Sequence, residues 1–266
     1  MKKLLLAVFL ITAIGLTACK KEPKEDQVPA DGEVSQTTGL GTRYAALSIS
    51  IRESADLNSK ASAYLKKIED VELLEETQGT YKGKEITILK VKTVDGKEGY
   101  QDAQYFGIKA IVINSDGVAV YSKPSATSSI INNLEYGTVA VVLEQMGEWY
   151  KIVAYNLADK EKEIWQKWIK ADSGYSDDMS FVIEASKIEK VKFDLYRIAK
   201  DSPDKDASLK KQSLPELKSL VKSNSDYIAG EAQKLIDYIE GNETSDEGES
   251  DEYAEDGEEE EMEGDA

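Results

Sequence analysis

Two stretches of this chain repeat each other. Ile51, Arg52, Ser59 and Leu65 align with Val120, Tyr121, Ser128 and Leu134 at an offset of 69, and Val71 with Val139 and Tyr100 with Trp168 follow at 68. Both stretches lie between Arg43 and Tyr175, where strand-length apolar runs are punctuated by Gly, Asp and Asn. A chain that repeats strands at a fixed spacing builds one small β module twice, and its insertions fall in loops, here at Thr77 to Glu85 and Asn156 to Ile164. The alternation of Val139, Val141 and Leu143 supplies one buried face. Closing such short strands into a barrel removes their adhesive edges.

The second copy is the sharper. Gly117 to Pro124, then Leu134, Gly137, Val139 and Val141, then Gly147, Trp149 and Tyr150, and finally Trp168 and Ile169, resemble the bacterial SH3 (SH3b) family. Lys167 stands where that family usually has Gly. The first copy matches through Ile49, Ile51, Val71, Val91, Gly99 and Tyr100, and it lacks a Trp. The resemblance implies a mainly β protein of two SH3-like barrels in tandem, at 43–107 and 108–176. It also implies a ligand that is a cell-wall peptide or another protein.

After Asp178 the period changes from two to between three and four. Phe181, Ala185, Ile188, Val191, Leu195 and Ile198 form a helical stripe that ends before Pro203. Ser213 and Glu216 form a capping box with Pro215 in the first turn, so a second helix is expected to open there. A third segment carries Ile228, Ala232, Leu235, Ile236 and Ile239 and stops near Gly241. The span 180–240 therefore reads as a helical hairpin or trio, its stripes serving as core.

The N-terminus opens with Lys2 and Lys3, followed by an apolar run from Leu4 to Leu16 that is too short to span a bilayer. It reads as an export signal over residues 1–19. Leu16, Thr17, Ala18 and Cys19 resemble the lipobox of bacterial lipoproteins, which implies that the chain's single Cys carries a thioether-linked diacylglycerol, with palmitate-type chains holding the protein to a membrane. Residues 20–42, rich in charge and holding Pro23 and Pro29, read as a tether. Lys20 does not resemble an inner-membrane retention signal, which leans the expectation toward the outer membrane or cell surface.

The charge is placed at one end. The chain carries −18, of which −14 sits between Glu243 and Ala266 with no Lys or Arg, leaving −4 for everything else. Residues 241–266 thus read as a disordered acidic tail beside an ordinary, nearly balanced body. Phosphate repulsion disfavours a nucleic-acid partner, and no basic run follows the first residues, so none is expected. The tail approaches a calcium loop at Glu252, Asp256, Gly257 and Glu263, but Ala254 at the third place spoils it, so neither metal nor cofactor is expected.

With no His and one Cys, the chain lacks the parts for serine or cysteine hydrolysis and for zinc sites of the usual kinds. Paired carboxylates would need a deep cleft that modules this small do not hold, so no enzyme is expected. Aromatic side chains are the remaining handle. Trp149 and Trp168 read as barrel core, whereas Tyr121, Tyr136 and Tyr150 are the candidate ligand contacts, the first two because they neighbour loops. The resulting expectation is a membrane-anchored, non-enzymatic binding protein of the bacterial envelope. An adaptor docking partners through the helical unit, or an accessory subunit of a wall hydrolase, are the alternatives.

Overall fold

The computed structural model describes residues 40–156, 162–198 and 202–241. The signal segment, Cys19, most of the tether and the acidic tail lie outside the described residues.

Strands β1 (Thr42–Ala45), β2 (Ile49–Arg52), β3 (Ala61–Leu65), β4 (Asp70–Tyr81), β5 (Lys84–Thr93), β6 (Glu98–Asp102) and β7 (Phe106–Gly107) form one curled antiparallel sheet. A second follows from β8 (Lys109–Ile113), β9 (Val118–Tyr121), β10 (Ile130–Leu134), β11 (Val139–Met146), β12 (Trp149–Asn156), β13 (Lys162–Lys170) and β14 (Tyr175–Ser176). The strand orders are β3-β2-β6-β5-β4-β1-β7 and β10-β9-β13-β12-β11-β8-β14, so adding seven to every label of the first produces the second. Even the irregularities repeat: a bulge between Leu73 and Glu75 recurs between Val142 and Glu144. The weak sequence repeat is a full structural duplication.

The described residues of the two insertions extend strands. Thr77 to Glu85 prolong β4 and β5, which pair out to Tyr81 and Lys84 around a two-residue turn at Lys82 and Gly83. In the second copy β12 and β13 pair out to Asn156 and Lys162, and the rest of the insertion, 157–161, lies outside the described residues. Added residues that alternate can continue an antiparallel ladder, and the ladder satisfies their backbone groups as a loop would not.

Each sheet encloses a core of its own, Ile51, Leu65, Leu73 and Val91 among the residues of the first, and Ile111, Val120, Leu134 and Ile152 among those of the second. A third apolar cluster lies between the outer face of the second sheet and the helices. Along β11, Ala140 and Val142 point into the half-barrel while Val139 and Val141 meet the helices. The alternating valines do form one buried face, and it is the helix-facing one. Strands covered on both faces read as continuous apolar runs, which explains Ala110–Ile113 and Val139–Val142.

Helix α1 (Met179–Phe193) is capped by Asp178, whose carboxylate accepts from the Ser180 amide at 2.9 Å, and runs into a five-residue π turn, Asp194–Ile198. Helix α2 (Pro203–Leu220) does not open at Ser213 as the capping box suggests. Its first turn holds Pro203, Asp204 and Asp206, the proline and carboxylates that a helix N-terminus favours, and Pro215 sits inside it. Ser213 is buried and its hydroxyl donates back to the Leu209 carbonyl at 2.9 Å. Helix α3 (Asp226–Glu240) is capped by Ser225 and ends on Gly241 in the left-handed region, φ 74°.

Two close approaches lock these parts together. A Cβ on Gly107 would lie 2.4 Å from the Val142 carbonyl oxygen, so only glycine lets β7 of the first sheet pass β11 of the second. Gly137, at φ 82°, leaves room for the Tyr227 ring of α3, whose hydroxyl donates to the Tyr136 carbonyl at 3.0 Å.

Candidate functional site

In the second sheet, strand register lines up one side chain per strand: Glu144 on β11 opposes Lys151 on β12, Lys151 opposes Trp168 on β13, Trp168 opposes Tyr121 on β9, and Tyr121 opposes Ile130 on β10. The neighbours Val120, Ile152 and Ile169 belong to the interior cluster, so alternation places this row on the outer face. The Lys151 ammonium lies 2.9 Å from the Glu144 carboxylate and 5.3 Å from the centre of the Trp168 ring. Tyr121 meets Trp149 edge-on, with centroids 5.1 Å apart and planes at 82°. This is the arrangement that aromatic quadrupoles favour.

The two tryptophans are buried, as a core role requires, but they form the floor of this outer row and are not members of the interior cluster. Apolar side chains rim it. Met146, opposite Trp149, is 50% exposed, and Ile130 and Ile131 on the terminal strand β10 are 57% and 47% exposed. The exposed aliphatic side chains beside the half-buried Tyr121 can meet an apolar segment of a partner, and the carboxylate–ammonium pair at the far end of the row can orient polar groups.

The duplication supplies an internal comparison. The equivalent row of the first sheet is Glu75, Lys90, Tyr100, Arg52 and Ala61. There Lys90 pairs with Glu98 at 2.7 Å and the Arg52 guanidinium donates to the Ser59 carbonyl at 3.3 Å. Both rows open on a Glu–Lys register pair; where the first continues with Tyr100, Arg52 and Ala61, the second has Trp168, Tyr121 and Ile130.

The three candidate tyrosines part company. Tyr121 lies in the outer row. Tyr150 points inward, is 6% exposed, and its hydroxyl sits 3.0 Å from that of Tyr175; the Lys109 ammonium lies 5.6 Å from the centre of each ring. Tyr136 follows β10 in the chain, but the helices cover that turn: its ring centre is 4.6 Å from Tyr227 and 6.4 Å from Phe181. Sequence reasoning passed over Ile130, Ile131, Met146 and Lys151. The available signal was two adjacent isoleucines with no charged residue beside them in a short strand, an unusual content for a sheet edge.

Among the described residues no group of three or more Asp, Glu, Cys or His side chains could hold a metal ion. None of the described helices is long and apolar enough to cross a membrane. The calcium-like spacing in the tail lies outside the described residues.

Comparison with curated proteins finds no match. A family model described as lipoprotein LenA matches residues 4–230, from the apolar N-terminal run through both sheets and into α3. The chain is a bacterial lipoprotein and belongs to the LenA family.

Proposed function

We propose that this lipoprotein is a non-enzymatic binding protein of the envelope, held to the membrane through acyl chains on Cys19 and displayed at the outer membrane or cell surface. In this reading the two half-barrels are SH3b-like modules, and the second engages an extended segment of a partner protein on the row built around Tyr121. The observation that carries the reading is the exposed Ile130, register partner of Tyr121, with the exposed Ile131 next to it on the terminal strand β10. A folded surface rarely leaves such a pair on a terminal strand, because bare apolar edges promote unwanted pairing unless a partner uses them.

Peptidoglycan is the less favoured ligand. Sugar recognition needs exposed ring faces, whereas Trp149 and Trp168 are buried and the row's cation, Lys151, is already engaged by Glu144. Site-specific photo-crosslinking in intact cells tests the choice. A crosslinker in place of Ile131 should capture a discrete protein, while one in place of Tyr64, which is 62% exposed on the matching terminal strand β3, should not. Cosedimentation with purified peptidoglycan that survives Tyr121→Ala and Ile131→Asp would overturn the assignment.

A further inference from the structure

We propose that the acidic segment 243–266 docks on a stripe of lysines along the exposed face of α2. Helix α2 buries Ser213, Leu217 and Leu220 against the other helices and the second sheet's outer cluster. On the opposite side Lys211, Lys218 and Lys222 are all exposed, spaced i, i+7 and i+11, which puts them on one line; the helical conformation continues through Val221, at φ −57° and ψ −22°. Glu216, the one carboxylate between Lys211 and Lys222, is half-buried on the flank. Among the described residues Lys211 and Lys222 carry no ion pair, and Lys218 has a single one, to Glu240 at 3.3 Å.

That one contact locates the occupant. Glu240 is the last residue of α3, Gly241 turns the chain in the left-handed region, and the acidic segment starts at Glu243. Its fourteen carboxylates, with no Lys or Arg among them, follow in the chain from the third residue after Glu240, the partner of Lys218. The segment can extend up to about 80 Å, whereas the stripe is about 16 Å long, so several carboxylates can occupy it in many registers. Covalent linkage holds them at millimolar effective concentration. Each exposed pair is weak and screened by salt, so the contact works by number. In a protein tethered to a membrane, such cover would keep a cationic helix face from adhering to anionic lipid.

Lysine acetylation footprinting on the full chain carrying Cys19→Ser tests this. The native tail is compared with one in which all fourteen carboxylates are changed to Asn or Gln. At low salt, Lys211, Lys218 and Lys222 should label several-fold more slowly with the native tail, Lys60 and Lys66 of the first module should label equally in both, and 0.5 M salt should erase the difference. Equal rates at all five lysines, or equal slowing at all five, would overturn the proposal. So would protection of the stripe that appears only with added phosphatidylglycerol vesicles whichever tail is present, since the occupant would then be a membrane. As a second readout, a spin label on Ser250→Cys in the same background should broaden α2 amide signals, and Lys211→Glu, Lys218→Glu and Lys222→Glu together should restore them. Broadening centred on another element contradicts the assignment.

Discussion

Lys67 of the first module and Glu189 of α1 form an ion pair at 2.7 Å, with 17% and 11% of their side chains exposed. The same ammonium donates to the Val139 carbonyl of β11 at 2.9 Å. One side chain thus ties the first sheet, the second sheet and the helices together. Burial pushes the Glu189 carboxyl above the usual carboxylate range, while Lys67 and Lys192 pull the other way.

Removing one partner of this clasp strands the other. Lys67→Met should cost about 3–5 kcal/mol by leaving a buried carboxylate without its cation. The double change Lys67→Met with Glu189→Leu should recover much of that loss. The pH dependence follows from the sign of the shift. A carboxyl with its pKa raised in the folded state binds protons more readily there than when unfolded, so its stabilising effect is complete at low pH and lost as pH rises through the folded value. The Lys67→Met defect should therefore be largest at neutral pH and shrink on acidification. Thermal melts of both variants between pH 5 and 8 would check this, and a defect that grows on acidification contradicts it.

Gly137→Ala should be among the most damaging single-methyl changes in the chain. It forces a non-glycine residue to φ 82° and places a Cβ 2.0 Å from the Tyr227 hydroxyl, so both backbone strain and displacement of α3 contribute. A loss of more than ~2 kcal/mol is expected from the two combined. Tyr227→Phe, which removes only the hydrogen bond to the Tyr136 carbonyl, should cost about 1 kcal/mol. Denaturant titration of the pair separates steric from hydrogen-bonding contributions.

The three candidate tyrosines should give three different phenotypes. Tyr121→Ala should leave the fold intact and weaken partner capture by ~2 kcal/mol or more, as loss of an interface anchor does. Tyr150→Phe should cost about 1 kcal/mol of stability through its lost contact with the Tyr175 hydroxyl and leave binding unchanged. Tyr136→Ala should loosen the helices, read as faster hydrogen exchange in α1 and α3. Identical binding by Tyr121→Ala and the parent chain would remove the outer row from the binding surface.

Cys19→Ser should move the protein from the detergent phase to the aqueous phase, or leave an unprocessed precursor. Each buried CH₂ contributes about 0.8 kcal/mol, so two or more acyl chains anchor stably where one does not. A Cys19→Ser protein that is processed and still partitions into detergent would show that the anchor lies elsewhere.

Much of this architecture is local and therefore legible. The offset of 69 between Ile51 and Val120 survives because a strand's alternation is written in consecutive residues, and the stripe Ala185, Ile188, Val191 declares a helix for the same reason. Which face of an element is covered, and by what, is not written locally. Val139 and Val141 alternate as any buried face would, and only the docked helices decide that they lie outside the half-barrel. Ser213 carries a good capping signal, yet the helix runs through it, because tertiary burial of Leu209, Ser213 and Leu217 along one side outweighs a local hydrogen bond worth about 1 kcal/mol. Tyr121, Tyr136 and Tyr150 look alike in sequence. They become a surface residue, a helix seat and a core residue because strand register, the approach of α3 at Gly137, and the inward turn of β12 are set by packing between segments far apart in the chain.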